Sequence, residues 1–261
     1  MLRALNTAAT GMAAQDANIN TIANNIANVN TTGFKKGRTE FEDLLYQTVQ
    51  EAGGRSSANS IHNVGTQIGS GAKVSATRKI NSMGSVNRTE NPLDLMINGE
   101  GYFGIISPSN EVKYTRDGSF NVDNQGSIVT RSGHKLFPGI TIPPNTTSIN
   151  ISTDGKVDIY TKNQIGPQNV GTIPVFTFIN PAGLRSEGGN LLGQTVASGE
   201  AVQGIGSKEN AGSIEQGALE SSNVSVMNEM TDMIRAQRAY EMNAKVLGVA
   251  DSMLQTVNNI K

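Results

Sequence analysis

The chain has 261 residues, of which 36% are hydrophobic, 5% aromatic and 16% charged, with no tryptophan. A net charge of −1 supplies no field that would gather nucleic acid or anionic lipid. The absence of cysteine excludes disulfides, thiolate metal sites and cysteine nucleophiles.

This length fits one or two domains. The 29 glycines point to many turns and modest sheets rather than one large core. No run approaches the roughly 18 apolar residues that mark a membrane span. The first residues, Met1 to Asn6, lack the apolar stretch of a cleaved signal.

The spacing predicts a helix over residues 2–29. Leu5, Met12, Ile19 and Ile26 recur every seven positions, with Ile22 and Val29 on the adjoining stripe. That is the seam of a coiled coil rather than the wider face of a globular helix. The asparagines between Asn6 and Asn30 are poor helix formers, because the side-chain amide competes for backbone partners. A neighbouring element is needed to hold such a helix. Gly33 is a natural left-handed stop after it.

Residues 34–50 carry Phe41, Leu44, Leu45 and Val49, read as a shorter amphipathic or extended arm. Residues 51–63 have linker composition. From 64 to 220 the pattern is β. Asn98-Gly99, Asp117-Gly118, Gln125-Gly126, Ser132-Gly133 and Asp154-Gly155 punctuate short alternating runs. Asp154-Gly155 carries the strongest hairpin signal. The Gly-rich stretch 183–217 reads as irregular.

A last helix is predicted over 223–260, with Asn223 or Ser225 able to cap it. Met230, Met233, Tyr240, Ala244, Leu247 and Leu254 follow the same seam spacing. At 1.5 Å per residue this helix runs roughly 55 Å, longer than a domain of this size can bury along its whole length. Gln237, Arg238, Tyr240 and Asn243 lie within two turns, which suggests a helix contacted on several sides, with polar groups fixing register between subunits.

Candidate chemistry is thin. Gly99, Gly101 and Gly104 match G-x-G-x-x-G, but Ile105-Ile106-Ser107-Pro108 follows, a strand and then a breaker, so no helix start is available for a pyrophosphate. His62 and His134 have no carboxylate or cysteine pattern around them and make no metal site. Asp117, Asp123 and Asp154 occupy turn contexts without a calcium loop. The expectation is no enzyme, no cofactor, no metal and no catalytic residue.

Residues 23–35 (ANNIANVNTTGFK) and 237–245 (QRAYEMNAK) resemble the N- and C-terminal signatures of the axial proteins of the bacterial flagellum, its rod and hook proteins. Residues 41–48 (FEDLLYQT), 65–71 (GTQIGSG) and 114–120 (YTRDGSF) are similar to the distal-rod branch of that family in particular. The resemblance covers essentially the whole chain.

It implies an α+β fold in layers. The terminal helices, residues 1–32 and 216–261 with a return segment, would pair as an inner coiled coil. An extended connecting arm and loop would span 33–70, and an all-β outer domain 71–215. Asn25 and Asn28 join the inner-helix packing set through the N-terminal signature. Residues 46–63, with Tyr46, Gly53, Gly54, Ser60 and Asn63, occupy the place of a loop that stiffens the distal rod.

The implied function is a self-assembling structural subunit: a stiff hollow drive shaft that crosses the periplasm and carries torque to the hook, around a central export channel. The implied partners are copies of itself, proximal rod proteins below, the hook protein above, the surrounding bushing rings and the flagellar type III export apparatus, with no nucleic acid and no membrane insertion. The alternatives are a proximal rod or hook subunit of the same family, or a secreted β-rich binding module. Helices that lack burial until subunits meet would be partly disordered beforehand.

Overall fold

A computed structural model describes residues 2–51, 55–57, 60–61, 64–162, 166–206 and 211–259. It falls into two compact units: a helical unit of Met1–Ala27, Gly37–Lys79 and Ser225–Lys261, and a β unit of Asn28–Lys36 and Ile80–Val224.

In the helical unit, helix α1 spans Leu2–Ala27 and helix α2 spans Val226–Asn259. The first helix stops two residues short of its predicted end, where the backbone N–H of Thr31 turns back to Asn28 O. The second begins where the Ser225 carbonyl accepts the Glu229 N–H. Its 34 residues make it about 51 Å long. Neither described helix is long and apolar enough to cross a membrane.

Residues 34–50 resolve as extended chain. Strand Gly37–Asp43 pairs antiparallel with Ala72–Lys79, and this ribbon packs on α1. The contact face of α1 is small and polar: Thr39 Oγ1 donates to Thr21 Oγ1 at 2.9 Å, and Thr21 donates on to Ala17 O at 3.0 Å. Gly71, at φ +113, leaves room for Thr10, whose Oγ1 would lie 2.1 Å from a Cβ there.

A second ribbon pairs Tyr46–Gln50 with Thr66–Gly69. Within the stretch of linker composition, Arg55–Ser57 pairs with Ser60–Ile61, so local pairing overrides a Gly/Ser-rich composition. Gly53, Gly54, His62 and Asn63 lie outside the described residues.

Among the described residues, the largest sheet of the β unit has nine strands, beside a separate three-stranded sheet and two strand pairs. From one edge its order runs Phe120–Val122, Ile128–Thr130, Lys135–Leu136, Tyr102–Ile106, Val112–Thr115, Leu191–Gly193 and Arg185–Gly188. Val175–Thr177 also pairs with Tyr102–Ile106 and carries Val202–Gly204 on its other side. Side chains alternate across a strand, so Phe103 and Tyr102 enter different clusters. Phe103 joins Leu95, Ile97, Phe120, Ile128, Leu136, Val157 and Ile173. Tyr102 joins Tyr114, Phe176, Phe178 and Leu184, where Tyr114 and Phe178 meet edge-to-face at 4.8 Å between centroids.

Residues 183–217, expected to be irregular, instead supply four strands: Arg185–Gly188, Leu191–Gly193, Val202–Gly204 and Ser213–Gln216. Arg185–Gly188 and Leu191–Gly193 form a local hairpin, while the partners that hold Leu191–Gly193, Val202–Gly204 and Ser213–Gln216 in place lie farther off in sequence, and tertiary pairing of this kind outweighs weak local preference.

Asp154-Gly155 does turn a hairpin. Strand Thr146–Ile151 pairs with Lys156–Thr161, and the Gly155 N–H bonds Ser152 O at 2.8 Å. The outer edge of Thr146–Ile151 is met by one side chain. Gln216 Nε2 donates to Ile149 O at 3.0 Å and to Pro92 O at 2.7 Å, and its Oε1 accepts the Ile151 N–H at 3.0 Å.

Candidate assembly site

Helices α1 and α2 pack against each other and run antiparallel. At one end Asn25 Nδ2 donates to Glu229 Oε2 at 2.9 Å. Fourteen residues away along each helix, Gly11 meets Asn243: a Cβ on Gly11 would lie 2.9 Å from Asn243 Nδ2. Gly11, costly in a helix by about 1 kcal/mol, therefore sits where the partner amide leaves no room for a side chain. Between these two points, Ala236 is buried on α2 and Ala14 and Ile22 on α1.

Asn25 is 2% exposed, and its amide is used in both senses. Beyond Glu229, Nδ2 donates to Gly37 O at 2.9 Å, and Oδ1 accepts the Gly37 N–H at 2.9 Å. One side chain thus ties α1 to the first turn of α2 and to the start of the first strand. A fully satisfied buried amide of this kind fixes register, because sliding either helix leaves polar atoms unpaired.

The predicted packing residues distribute over several surfaces. Ile22 and Asn25 are buried, while Leu5, Met12, Ile19 and Ile26 on α1 and Met233, Asn243, Leu247 and Leu254 on α2 are half-buried. Met230, Gln237, Arg238, Tyr240 and Ala244 are exposed. Asn28 and Val29 lie past the end of α1, within the β unit. Of the described side chains of α2, only Glu229, Ala236 and Ala250 are buried. Met227 is 75% exposed and Met242 is 61%, and Ile234, Val246, Val249 and Met253 are exposed with them. This helix carries apolar residues on faces that none of the described residues covers.

A second polar lock sits in the β unit. Gly33, at φ +67, donates its N–H to Glu220 O at 2.8 Å, and a Cβ there would lie 2.6 Å from the Arg116 backbone. Glu220 Oε1 accepts from Lys35 Nζ at 2.6 Å and from the Gly84 N–H at 2.9 Å, and Oε2 accepts from Arg116 Nε at 2.6 Å. Arg116 also donates to the carbonyls of Gly101, Gly99 and Ile97. Lys35 also donates to Ser82 O at 2.8 Å.

Burial opposes the charged form of Glu220. The Arg116 charge, the Lys35 hydrogen bond and the Gly84 N–H outweigh it and hold the carboxyl below its ordinary value. Burial lowers the Lys35 pKa, and Glu220 offsets part of that shift. Beside this cluster Asn223, a predicted helix cap, is occupied elsewhere. Its Oδ1 accepts the Lys36 N–H at 2.8 Å, and Nδ2 donates to Ile80 O at 2.8 Å and to Ser82 O at 3.1 Å.

The remaining motifs serve turns and packing. A Cβ on Gly101 would lie 2.2 Å from Val175, and one on Gly104 would lie 2.4 Å from the Phe176 ring, so these glycines admit core side chains. Asp117 Oδ1 accepts both the N–H and the hydroxyl of Ser119. Among the described residues no group of three or more His, Asp and Glu side chains is placed to hold a metal ion. Tyr46 is exposed and lies over Gly69, and Ser60 falls in the Ser60–Ile61 strand.

Sequence comparison finds relatives along the whole chain. Residues 5–35 match the family described as flagella basal body rod protein. Residues 96–159 match the flagellar hook protein FlgE/F/G D1 domain, and residues 215–260 the C-terminal part of the flagellar basal body rod FlgEFG proteins. The chain is 47% identical to flagellar basal-body rod protein FlgG of Caulobacter vibrioides, over 100% of both chains. It is 46% identical to the protein of that name in Borreliella burgdorferi, over 100% of this chain and 99% of the relative. With the Bacillus subtilis protein of that name it shares 38% over 100% of both.

Proposed function

The chain belongs to the flagellar basal-body rod protein family, and on that premise we propose that it builds the distal rod by packing its terminal helices against those of neighbouring copies. It is a structural subunit of the flagellar basal body, as its relatives are. The two helices form the inner coiled-coil layer around an export channel. The arm and the loop over 46–63 stiffen the shaft, and the β unit forms the outer layer. The assembled rod meets proximal rod proteins below, the hook protein above and the bushing rings around it. Subunits reach it through the type III export apparatus.

One observation carries this reading: α2 buries three described side chains while Met227, Ile234, Met242, Val246, Val249 and Met253 stay exposed. Completing the burial of a half-exposed Met, Val or Ile contributes about 1 kcal/mol. Several such contacts per subunit favour association over a wet helix. The Gln237, Arg238 and Asn243 positions then set register between subunits.

Limited proteolysis of dilute monomer and of polymer tests it. In the monomer, cleavage is expected within α1 and α2 while the β unit survives; in the polymer, both helices become protected. Purified protein at high concentration should form straight tubes in negative-stain images. Terminal helices equally resistant in dilute monomer, with no tubes at any concentration, would overturn the reading.

A further inference from the structure

The chain contains no cysteine and no tryptophan, so methionine is its most readily oxidised side chain. Five of its nine methionines lie in α2: Met227, Met230, Met233, Met242 and Met253. An oxidant must reach the thioether sulfur through solvent, so exposure sets the order of attack. Met227 is 75% exposed, Met242 61%, Met230 51% and Met253 50%, whereas Met96, in a strand of the β unit, is 1% exposed.

These four residues share one side of the helix. At about 100° per residue they lie within about 140° of one another, together with Ile234 and Val249. Glu229, Ala236 and Ala250, the buried side chains among those described in α2, fall on the other side. The exposed thioethers are therefore gathered on the side of α2 turned away from its buried residues.

Oxidation would change the character of that side. Peroxide passes one oxygen to the sulfur: its O–O bond breaks, an S–O bond forms, the sulfur gives up two electrons and the second oxygen leaves as water. The sulfoxide is polar where the thioether was apolar. It is an added hydrogen-bond acceptor on a surface that loses water when helices meet, and an acceptor buried without a donor opposes association.

We propose that Met227, Met230, Met242 and Met253 form an oxidation site of the unassembled subunit, at which peroxide yields sulfoxides that exclude the subunit from the rod. The proposal rests on the rod reading above and adds a reversible covalent modification that acts on it. Helices packed in polymer put the same sulfurs out of reach, so the site is open only before assembly.

Full-length protein in dilute solution, treated with hydrogen peroxide and followed by peptide mass mapping, tests it. Met227 and Met242 should gain an oxygen about tenfold or more faster than Met96, whose oxidation waits for opening of the β unit. Sedimentable polymer from the oxidised protein should fall by about tenfold or more. Methionine sulfoxide reductases A and B with dithiothreitol should restore it. Polymer formed before treatment should keep these four methionines reduced. The quadruple variant Met227→Leu/Met230→Leu/Met242→Leu/Met253→Leu keeps volume and apolar character, and should polymerise equally well with and without peroxide. It retains Met83, exposed in the β unit, so a loss caused at that residue would persist. If the quadruple variant itself fails to polymerise, the peptide map and the reductase rescue of wild type decide.

Equal rates at Met227 and Met96, oxidised protein that polymerises like untreated protein, or a quadruple variant as peroxide-sensitive as wild type overturns the site and leaves the rod reading standing. Untreated wild type that polymerises under no condition overturns both.

Discussion

The amide of Asn25 and the carboxylate of Glu229 meet at 2.9 Å, 204 positions apart in sequence. This bond, with the two between Asn25 and Gly37, sets where α1 stops relative to where α2 starts.

Asn25→Ala removes all three bonds and strands the polar backbone of Gly37. In assembled polymer the expected loss is about 2–4 kcal/mol per subunit, read as a lower dissociation temperature. The urea midpoint of the β unit should not move. Unchanged polymer stability would show that the buried amide does not hold the helices in register.

Glu220→Gln leaves Lys35 and Arg116 buried without their counter-charge. Breaking a buried pair in this way costs about 3–5 kcal/mol, measurable as a lower urea midpoint for the β unit. The triple variant Lys35→Met/Arg116→Met/Glu220→Leu should recover most of that loss, because it removes the stranded charges together. A triple variant no better than Glu220→Gln would show that the cluster contributes more than its charge balance.

The same cluster sets an acid limit. The folded state holds the Glu220 carboxyl below its ordinary value, so the folded form binds its proton less readily than the unfolded form does. The resulting stability is fully present above the ordinary glutamate pKa of about 4.3 and is lost as pH falls through the lower folded value. Thermal midpoints of wild type and Glu220→Gln should therefore differ most above that pH and converge below it. Parallel curves across the acid range would contradict the assignment.

Gly104→Ala drives a methyl group into the Phe176 ring, to within 2.4 Å of its nearest carbon if nothing shifts. Overpacking of this kind costs about 1–3 kcal/mol, visible in thermal unfolding of the β unit. Gly133→Ala meets no neighbour within 4 Å but holds φ +81, and should cost about 1–2 kcal/mol from backbone strain alone. Wild-type stability for Gly104→Ala would remove the packing explanation for this glycine motif.

Both helices are legible in the sequence because a seven-residue apolar repeat in an otherwise polar stretch has few other readings, and Asp154-Gly155 announces its hairpin through turn chemistry. The strands inside 183–217 are not. Leu191–Gly193 is stabilised by Val112–Thr115 and Ser213–Gln216 by Leu95–Asn98, and glycine-rich composition carries no trace of such partners. The polar locks are invisible for the same reason. Lys35, Arg116 and Glu220 look like solvated charges in sequence, and only the fold joins positions 185 residues apart at 2.6 Å. Asn25 stands out within its motif, yet nothing local indicates Glu229 or Gly37 as its partners.

The Gln216 carboxamide, closing the free side of Thr146–Ile151, bears on how such a chain avoids clumping. A protein selected to stick to its own kind is exposed to runaway sheet extension, since an open strand accepts any other strand. Occupying that border with one glutamine side chain, donor to one peptide and acceptor from the next, denies strangers the template. Growth is then confined to the surfaces that lead to an ordered shaft.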